Sequence, residues 1–207
     1  MLMTSKPRAQ RGITLIESLI AILIMALGIL GVLGVQMRTL SDTQTSVRRA
    51  QAIRVIEDLS ERIKVNPNGL ANINTYLTSW TNQPTAAKSC IANTCSNAEL
   101  AAYDIALWKA SIAQVLPGGN ATVFVSKAEV DADPLNRRQL GVMISWLNSE
   151  MNASDTKYLT AIDLGTGSNV TCETGKTCHL QYIPLTGRCT PYFASPGVPA
   201  KYYCSKS

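Results

Sequence analysis

The chain has 207 residues, a length that suits one domain of ordinary size together with an appendage. Three of its 19 basic side chains lie in the first dozen residues, which leaves 16 basic against 14 acidic side chains in the remainder. This near balance excludes a general basic surface, and no nucleic-acid partner is expected.

The N-terminal segment predicts a membrane-anchoring helix. Residues 13–35 are apolar except for Glu17 and Ser18, and about 23 helical residues extend roughly 34 Å, enough to cross a bilayer core. The basic residues that precede this segment keep the N-terminus in the cytoplasm, so the rest of the chain is sent outward. A secretory signal peptide is cut after its apolar stretch, whereas the candidate junction Gly12–Ile13 precedes it, so we expect the helix to be retained.

Residues 36–65 continue the helix with a different pattern. They contain no Pro or Gly, and their apolar residues recur at helical spacing: Leu40, Val47, Ile53, Ile56, Leu59 (or Ser60) and Ile63. The Asn-Pro-Asn-Gly stretch at 66–69 ends the helix. We therefore predict one long helix, apolar in its first half and amphipathic in its second, whose stripe covers a β sheet.

The remainder, residues 66–207, predicts a globular α+β domain. After a loop with a short helical turn near residues 76–80, Ser96 and Glu99 form a capping-box pattern that begins a second helix. Its apolar positions are Leu100, Tyr103, Leu107, Trp108, Ile112 and Val115, before Leu-Pro-Gly-Gly ends it. We expect this helix to pack on a sheet.

Three β-type runs follow the second helix, at residues 121–126, 139–147 and 157–164. An antiparallel meander is the simplest sheet they can form. From residue 165 onward the chain is rich in Gly, Thr, Pro and Cys, so we expect loops or short strands that covalent links hold.

Six cysteines lie in the part of the chain that is sent outward. Their spacing lacks the paired C-x2-C of structural zinc sites, and an oxidising compartment favours disulfides, so no metal or cofactor is expected. Six cysteines allow 15 connectivities. We expect sequential pairing: Cys90–Cys95, Cys172–Cys178 and Cys189–Cys204.

Signals for catalysis are few. His179 adjoins Cys178, so a Cys–His dyad is conceivable, but a disulfide-bonded cysteine beside a surface histidine is favoured. Asp131 and Asp133 could ligate calcium, yet two acids before a proline are better explained as a turn. No catalytic residue is therefore assigned.

The string Gly12-Ile-Thr-Leu-Ile-Glu17, with a basic leader before it and an apolar run after it, resembles the type IV prepilin signature. GILGVLGVQ and then RRAQAIRVIEDLSERIKVNPNG are similar to minor pilins of the PilV kind, as is the combination of Cys90-x4-Cys95 with the Trp108 helix. Ile13 stands where Phe is commoner in the family. The apolar helix also lacks the Pro of many major pilins, and carries Gly28, Gly31 and Gly34.

This resemblance implies a non-enzymatic structural subunit with a pilin-like fold. It implies that a prepilin peptidase cuts after Gly12 and N-methylates Ile13, and that Glu17 neutralises the N-terminal amine of a neighbouring pilin subunit. The chain would then comprise a leader (1–12), a transmembrane and filament-core helix (13–35), an amphipathic continuation (36–65) and a periplasmic domain (66–207). It would wait in the inner membrane and later join an extracellular pilus.

Two rival functions remain open on the sequence: a pseudopilin of a type II secretion system, and a single-span periplasmic enzyme or receptor. Glu17 argues against the second rival, because a carboxylate at mid-membrane costs about 2.5 to 3.5 kcal/mol and usually has a partner. The freed amine of Ile13 has the right charge and depth to be that partner. The alternative interpretation of Glu17 is an acid that is tolerated at the membrane interface.

The Gly28, Gly31 and Gly34 series favours close packing in a helix bundle over a hinge.

Overall fold

A computed structural model describes residues 14–67, 69–130, 137–147, 161–165, 169–185, 189–192 and 201–204, with side chains up to residue 185. The chain divides into two compact units, one ending at Ser46 and the other comprising Val47–Ser207. Each unit is described by itself below.

Two long helices dominate the described residues: α1 at Leu15–Val65 and α2 at Asn97–Val115. The uninterrupted α1 confirms the predicted long helix. Single 3₁₀ turns lie at Ile73–Tyr76 and Lys127–Glu129. The strands are β1 Asn120–Phe124, β2 Gln139–Trp146, β3 Ile162–Asp163, β4 Asn169–Val170, β5 Thr177–Pro184, β6 Cys189–Tyr192 and β7 Lys201–Cys204.

The main sheet has the order β1-β2-β5, with both pairings antiparallel. The prediction that residues 157–164 supply its third strand is wrong: the described part of that range forms only the short β3, which pairs with β4. The third strand is β5, which lies in the stretch predicted as loop or short strand. β5 pairs with β2 along all eight of its residues, although only Ile183 among them is fully buried. Long-range pairing, rather than its own hydrophobicity, makes this segment a strand.

A glycine in the central strand lets two aromatic rings approach each other across the sheet. Gly141 is the register partner of both Phe124 on β1 and Tyr182 on β5. A Cβ atom at Gly141 would lie 2.5 Å from the Phe124 ring. The rings of Phe124 and Tyr182 meet edge to face, with centroids 6.4 Å apart.

The core of the second unit lies between the sheet and the two helices. From α1 it takes Ala52, Val55, Ile56, Leu59, Ser60 and Ile63. The predicted stripe is therefore correct at Ile56, Leu59 and Ile63, but Val47 is about half exposed and Ile53 is only partly buried. The stripe begins at Ala52 and Val55 because α2 packs there as well as the sheet: the Trp108 indole N–H donates to the Val55 carbonyl oxygen at 2.7 Å.

The capping box of α2 is confirmed, but the prediction of its buried face is wrong in part. The Ser96 hydroxyl accepts from the Glu99 amide at 3.3 Å, and the Glu99 carboxylate accepts from the Ser96 amide at 2.7 Å. Trp108 and Ile112 are buried as expected, whereas Leu107 and Val115 are exposed. The buried face instead also contains Ala101, Asp104, Ile105 and Lys109. Two of these residues are charged, so a prediction from apolar residues alone places the buried face on the wrong side of part of the helix.

The segment after α1 also differs from its prediction. The helical turn lies at Ile73–Tyr76, earlier than residues 76–80, and Thr78 then forms an isolated antiparallel bridge with Val123 of β1. The Thr78 amide donates to the Val123 carbonyl at 3.1 Å, and the reverse bond measures 2.8 Å. This one-residue pairing has no periodicity, so no sequence pattern announces it.

Among the residues whose side chains are described, two of the three expected disulfides are present, Cys90–Cys95 and Cys172–Cys178. Cys189 and Cys204 are register partners in the antiparallel pair of β6 and β7. Their side chains lie outside the described part of the chain, so the third disulfide stays a prediction.

Candidate functional site

The N-terminal stretch of α1, Leu15–Ser46, has no fully buried residue. Its sixteen large apolar side chains are between 48% and 86% exposed. Among the described residues, α1 is the one helix long and apolar enough to cross a membrane, and its most apolar window has a mean hydropathy of 2.7. Length and composition alone admit a signal sequence or a buried core helix too, but none of that window is buried within the chain.

Glu17 is the only charged residue between Arg11 and Arg38, and it lies in the first turn of α1. Its amide donates to the Thr14 carbonyl at 3.0 Å, which begins the helix. The side chain is exposed. The unpaired N–H groups of the first turn favour a negative charge there. A carboxylate is thus held at the N-terminal end of an apolar helix, close in sequence to Gly12 and Ile13, which lie outside the described residues.

The three glycines of this stretch leave open space around the helix. Apart from the backbone of its own helix, a Cβ atom at Gly28, Gly31 or Gly34 would meet no atom of the described chain within 4 Å. Close packing within the described part of the chain therefore does not explain these glycines. Packing against other helices stays a prediction.

The conceivable Cys–His dyad is absent, because Cys178 is disulfide-bonded to Cys172 and offers no thiolate. His179 beside it is partly buried, and burial, with the charge of Arg49, lowers its pKa. Asp131 and Asp133 lie outside the described residues. Within the described ranges, no three metal-ligating side chains come together.

The second unit contains a polar cluster around Lys109 that the sequence did not predict. Lys109 of α2 is only 4% exposed, and its ammonium donates to the Thr78 hydroxyl at 3.3 Å and to the Ser79 and Asn82 carbonyls. Burial lowers the pKa of Lys109, and the negative charge of nearby Glu173 partly offsets this lowering. The bonded oxygens are far away in sequence, so no local pattern could reveal this lysine as buried.

Glu173 lies inside the loop that the Cys172–Cys178 disulfide closes. Its carboxylate accepts hydrogen bonds from Asn120 of β1 at 3.1 Å, from Lys176 at 2.8 Å and from the Ser145 hydroxyl of β2. Burial raises the pKa of Glu173, but these hydrogen bonds outweigh it, so the pKa lies below its usual value. The carboxylate therefore joins the loop to two strands of the sheet.

Comparison with protein families adds to this geometry. Residues 7–33 match the prokaryotic N-terminal methylation motif, and residues 34–106 match the family described as Type IV pilin Tt1218. No curated protein and no solved structure matches the chain.

An uncovered apolar helix with a methylation motif across its start fits a membrane-anchored protein of the pilin class. The two matches run consecutively over residues 7–106, so this part of the chain is similar to the type IV pilin family. That family is structural rather than enzymatic. The motif implies processing by a prepilin peptidase and other pilin subunits as partners.

Proposed function

We propose that this chain is a minor pilin of the PilV kind, cut after Gly12, N-methylated at Ile13, and incorporated into a type IV pilus or required to prime its assembly. Before assembly it lies in the inner membrane with residues 66–207 in the periplasm. The observation that carries this proposal is the uncovered stretch of α1 with a single carboxylate in its first turn.

The apolar side chains of this stretch support a partner outside the chain. Each fully buried Leu or Ile contributes about 1.5 to 3 kcal/mol relative to an exposed one, and sixteen large apolar side chains here are exposed. Lipid covers them in the membrane, and the corresponding helices of neighbouring subunits would cover them in a filament. One helix can occupy both surroundings because its backbone hydrogen bonds are internal.

Glu17 supports assembly rather than mere anchoring. An anchor gains nothing from a carboxylate, which makes insertion less favourable. Cleavage after Gly12 creates a positive amine at Ile13 that matches Glu17 in charge and depth. In a bundle of low dielectric constant, removing one partner of such a buried pair costs about 3 to 5 kcal/mol.

The test replaces the carboxylate and measures where the subunit goes. Glu17→Val should yield a cleaved, folded membrane protein that enters filaments poorly, because insertion and cleavage do not need the charge. Glu17→Asp should be intermediate, since the charge remains but its reach shortens. Ser18→Ala, one residue along the same turn, is the matched control and should behave like wild type.

The measurement is the ratio of subunit in sheared filaments to subunit in membranes, at equal expression. A Glu17→Val ratio equal to that of wild type would remove the carboxylate from the mechanism and leave a tolerated interfacial acid. The rival function predicts a different result: the wild-type chain would be missing from sheared pili, and its deletion would abolish protein secretion. That result would make the chain a pseudopilin of a type II secretion system, with the same role for its helix and Glu17.

A further inference from the structure

The geometry points to a redox-closed latch in the second unit: formation of the Cys172–Cys178 disulfide fixes the conformation of the segment Thr78–Asn82. This segment joins the turn after α1 to the chain that leads into α2. The inference is independent of the filament role, because it concerns contacts within Val47–Ser207 alone.

One side of the segment is held by α2. The buried Lys109 ammonium donates to the Thr78 hydroxyl and to the carbonyls of Ser79 and Asn82. These three oxygens belong to uncharged groups, so none of them forms an ion pair with the Lys109 ammonium. A buried ammonium is costly without compensating negative charge. Glu173 is the acid whose charge acts on Lys109.

The other side of the segment is held by the disulfide loop and by the residue before it. The Trp80 indole N–H donates to the Thr171 carbonyl at 3.1 Å, directly before Cys172. The Asn120 amide group donates to the Trp80 carbonyl at 3.0 Å and to the Glu173 carboxylate at 3.1 Å. Thr171 therefore binds the segment directly, and the disulfide loop binds it through Asn120.

The disulfide determines whether the hydrogen bonds on this side of the segment can form. Cys172 and Cys178 close a loop with a sequence separation of 6, which holds Glu173 opposite β1 and β2. Cys178 itself is the register partner of Ser145, which also donates to Glu173. Without the bond, residues 172–176 are held to the sheet by β5 and by the hydrogen bonds of Glu173, and the loop regains conformational entropy that opposes these hydrogen bonds.

Closure of the latch is an ordinary thiol–disulfide exchange. The two thiols lose two protons and two electrons to the disulfide of an oxidant, such as a thiol–disulfide oxidoreductase, which is reduced to two thiols. A reduced chain would thus carry a loosened Thr78–Asn82 segment, and oxidation would lock it.

Hydrogen exchange on the full chain in detergent micelles tests the latch. In Cys172→Ser/Cys178→Ser, the amides of Thr78 and Val123, which bond each other's carbonyls, should exchange about tenfold faster or more. In the matched control Cys90→Ser/Cys95→Ser, they should stay within about twofold of wild type. Amides of α1 between Ala52 and Ile63 report whether the core remains folded.

A second variant separates the latch from a general loss of stability. Glu173→Gln keeps the disulfide and should accelerate exchange at Thr78 and Val123 by a smaller factor than the double serine variant, with the α1 core unchanged. If the double serine variant unfolds the core, Glu173→Gln decides alone. Unchanged exchange at Thr78 in a folded Cys172→Ser/Cys178→Ser chain, unchanged exchange in Glu173→Gln, or equal acceleration in both double serine variants would overturn the inference.

Discussion

The two stretches of α1 obey the same backbone rules and differ in what covers them. The uncovered stretch, Leu15–Ser46, has no fully buried residue, whereas the covered stretch, Val47–Val65, buries six. The interior of a helix needs no partner for its backbone, because its N–H and C=O groups bond within the segment. Apolar side chains do need one, and the described chain supplies none to the uncovered stretch. The difference shows that one helix can serve two purposes, an external surface and a domain scaffold.

Blocking the cleavage junction should have the largest effect, and only on the uncovered stretch. Gly12→Phe places a bulky side chain at the cut, so we expect the leader to be retained completely while the domain folds normally. Gly31→Ala is the control, since a Cβ atom there meets no neighbour within 4 Å in the described chain. Intact-mass analysis of membrane-extracted protein gives the result. A Gly12→Phe chain that begins at Ile13 would contradict the assigned junction.

Matched leucine truncations should separate the two stretches by stability. Leu59 is fully buried, so Leu59→Ala should lower the free energy of unfolding of the domain by about 2 to 5 kcal/mol. Leu23 is 61% exposed, so Leu23→Ala should change it by less than about 0.5 kcal/mol. Urea unfolding of the full chain in micelles measures both. Equal losses would mean that the domain also depends on the uncovered stretch.

The contact between α2 and the covered stretch should have a smaller effect. Trp108→Phe removes the indole donor that bonds the Val55 carbonyl at 2.7 Å and leaves a gap in the core. We expect a loss of about 1 to 3 kcal/mol in the free energy of unfolding. Leu107→Ala, at an exposed position of the same helix turn, is the control. The proposed contact is contradicted if the two variants are equally stable.

The cap of α2 should have the smallest effect. Hydrogen bonding from the Ser96 amide, together with Lys88 at 2.9 Å, lowers the pKa of Glu99 from 4.5 to about 2. Because the folded-state pKa is depressed, the stabilisation is complete above about pH 4.5 and is lost as pH falls towards 2. Glu99→Gln should flatten the pH dependence of unfolding in this window, and Lys88→Met should flatten it less. A Glu99→Gln profile parallel to that of wild type would contradict this assignment.

Features that depend on neighbouring residues were predictable. The long helix, the Ser96–Glu99 capping box and the strands β1 and β2 all follow from periodicity or from hydrogen bonds within a few residues. The third strand was not, since β5 is mostly partly exposed and is defined by its register with β2. The buried face of α2 was misjudged because Asp104 and Lys109 belong to it. Asp104 is paired with Arg62 of α1 at 3.4 Å, a contact that no local pattern contains.

The candidate site divides in the same way. The basic residues of the leader, Gly12, Ile13 and the single acid Glu17 lie within a dozen residues, so their chemistry can be inferred from order and spacing. The methylation-motif match covers residues 7–33. The functional boundaries at residues 12, 35 and 65 and the roles of these side chains stay predictions.

By itself, the sequence determined that a long helix begins with an apolar, acid-bearing stretch and continues into an amphipathic one, because 3.6-residue periodicity and hydropathy are local properties. Only the tertiary structure decided that β5 completes the sheet, that Lys109 lies buried against Thr78–Asn82, and that Glu173 joins the disulfide loop to β1 and β2. These contacts join residues tens of positions apart. Their stability comes from hydrogen bonds that form only once the chain has already brought the partners together.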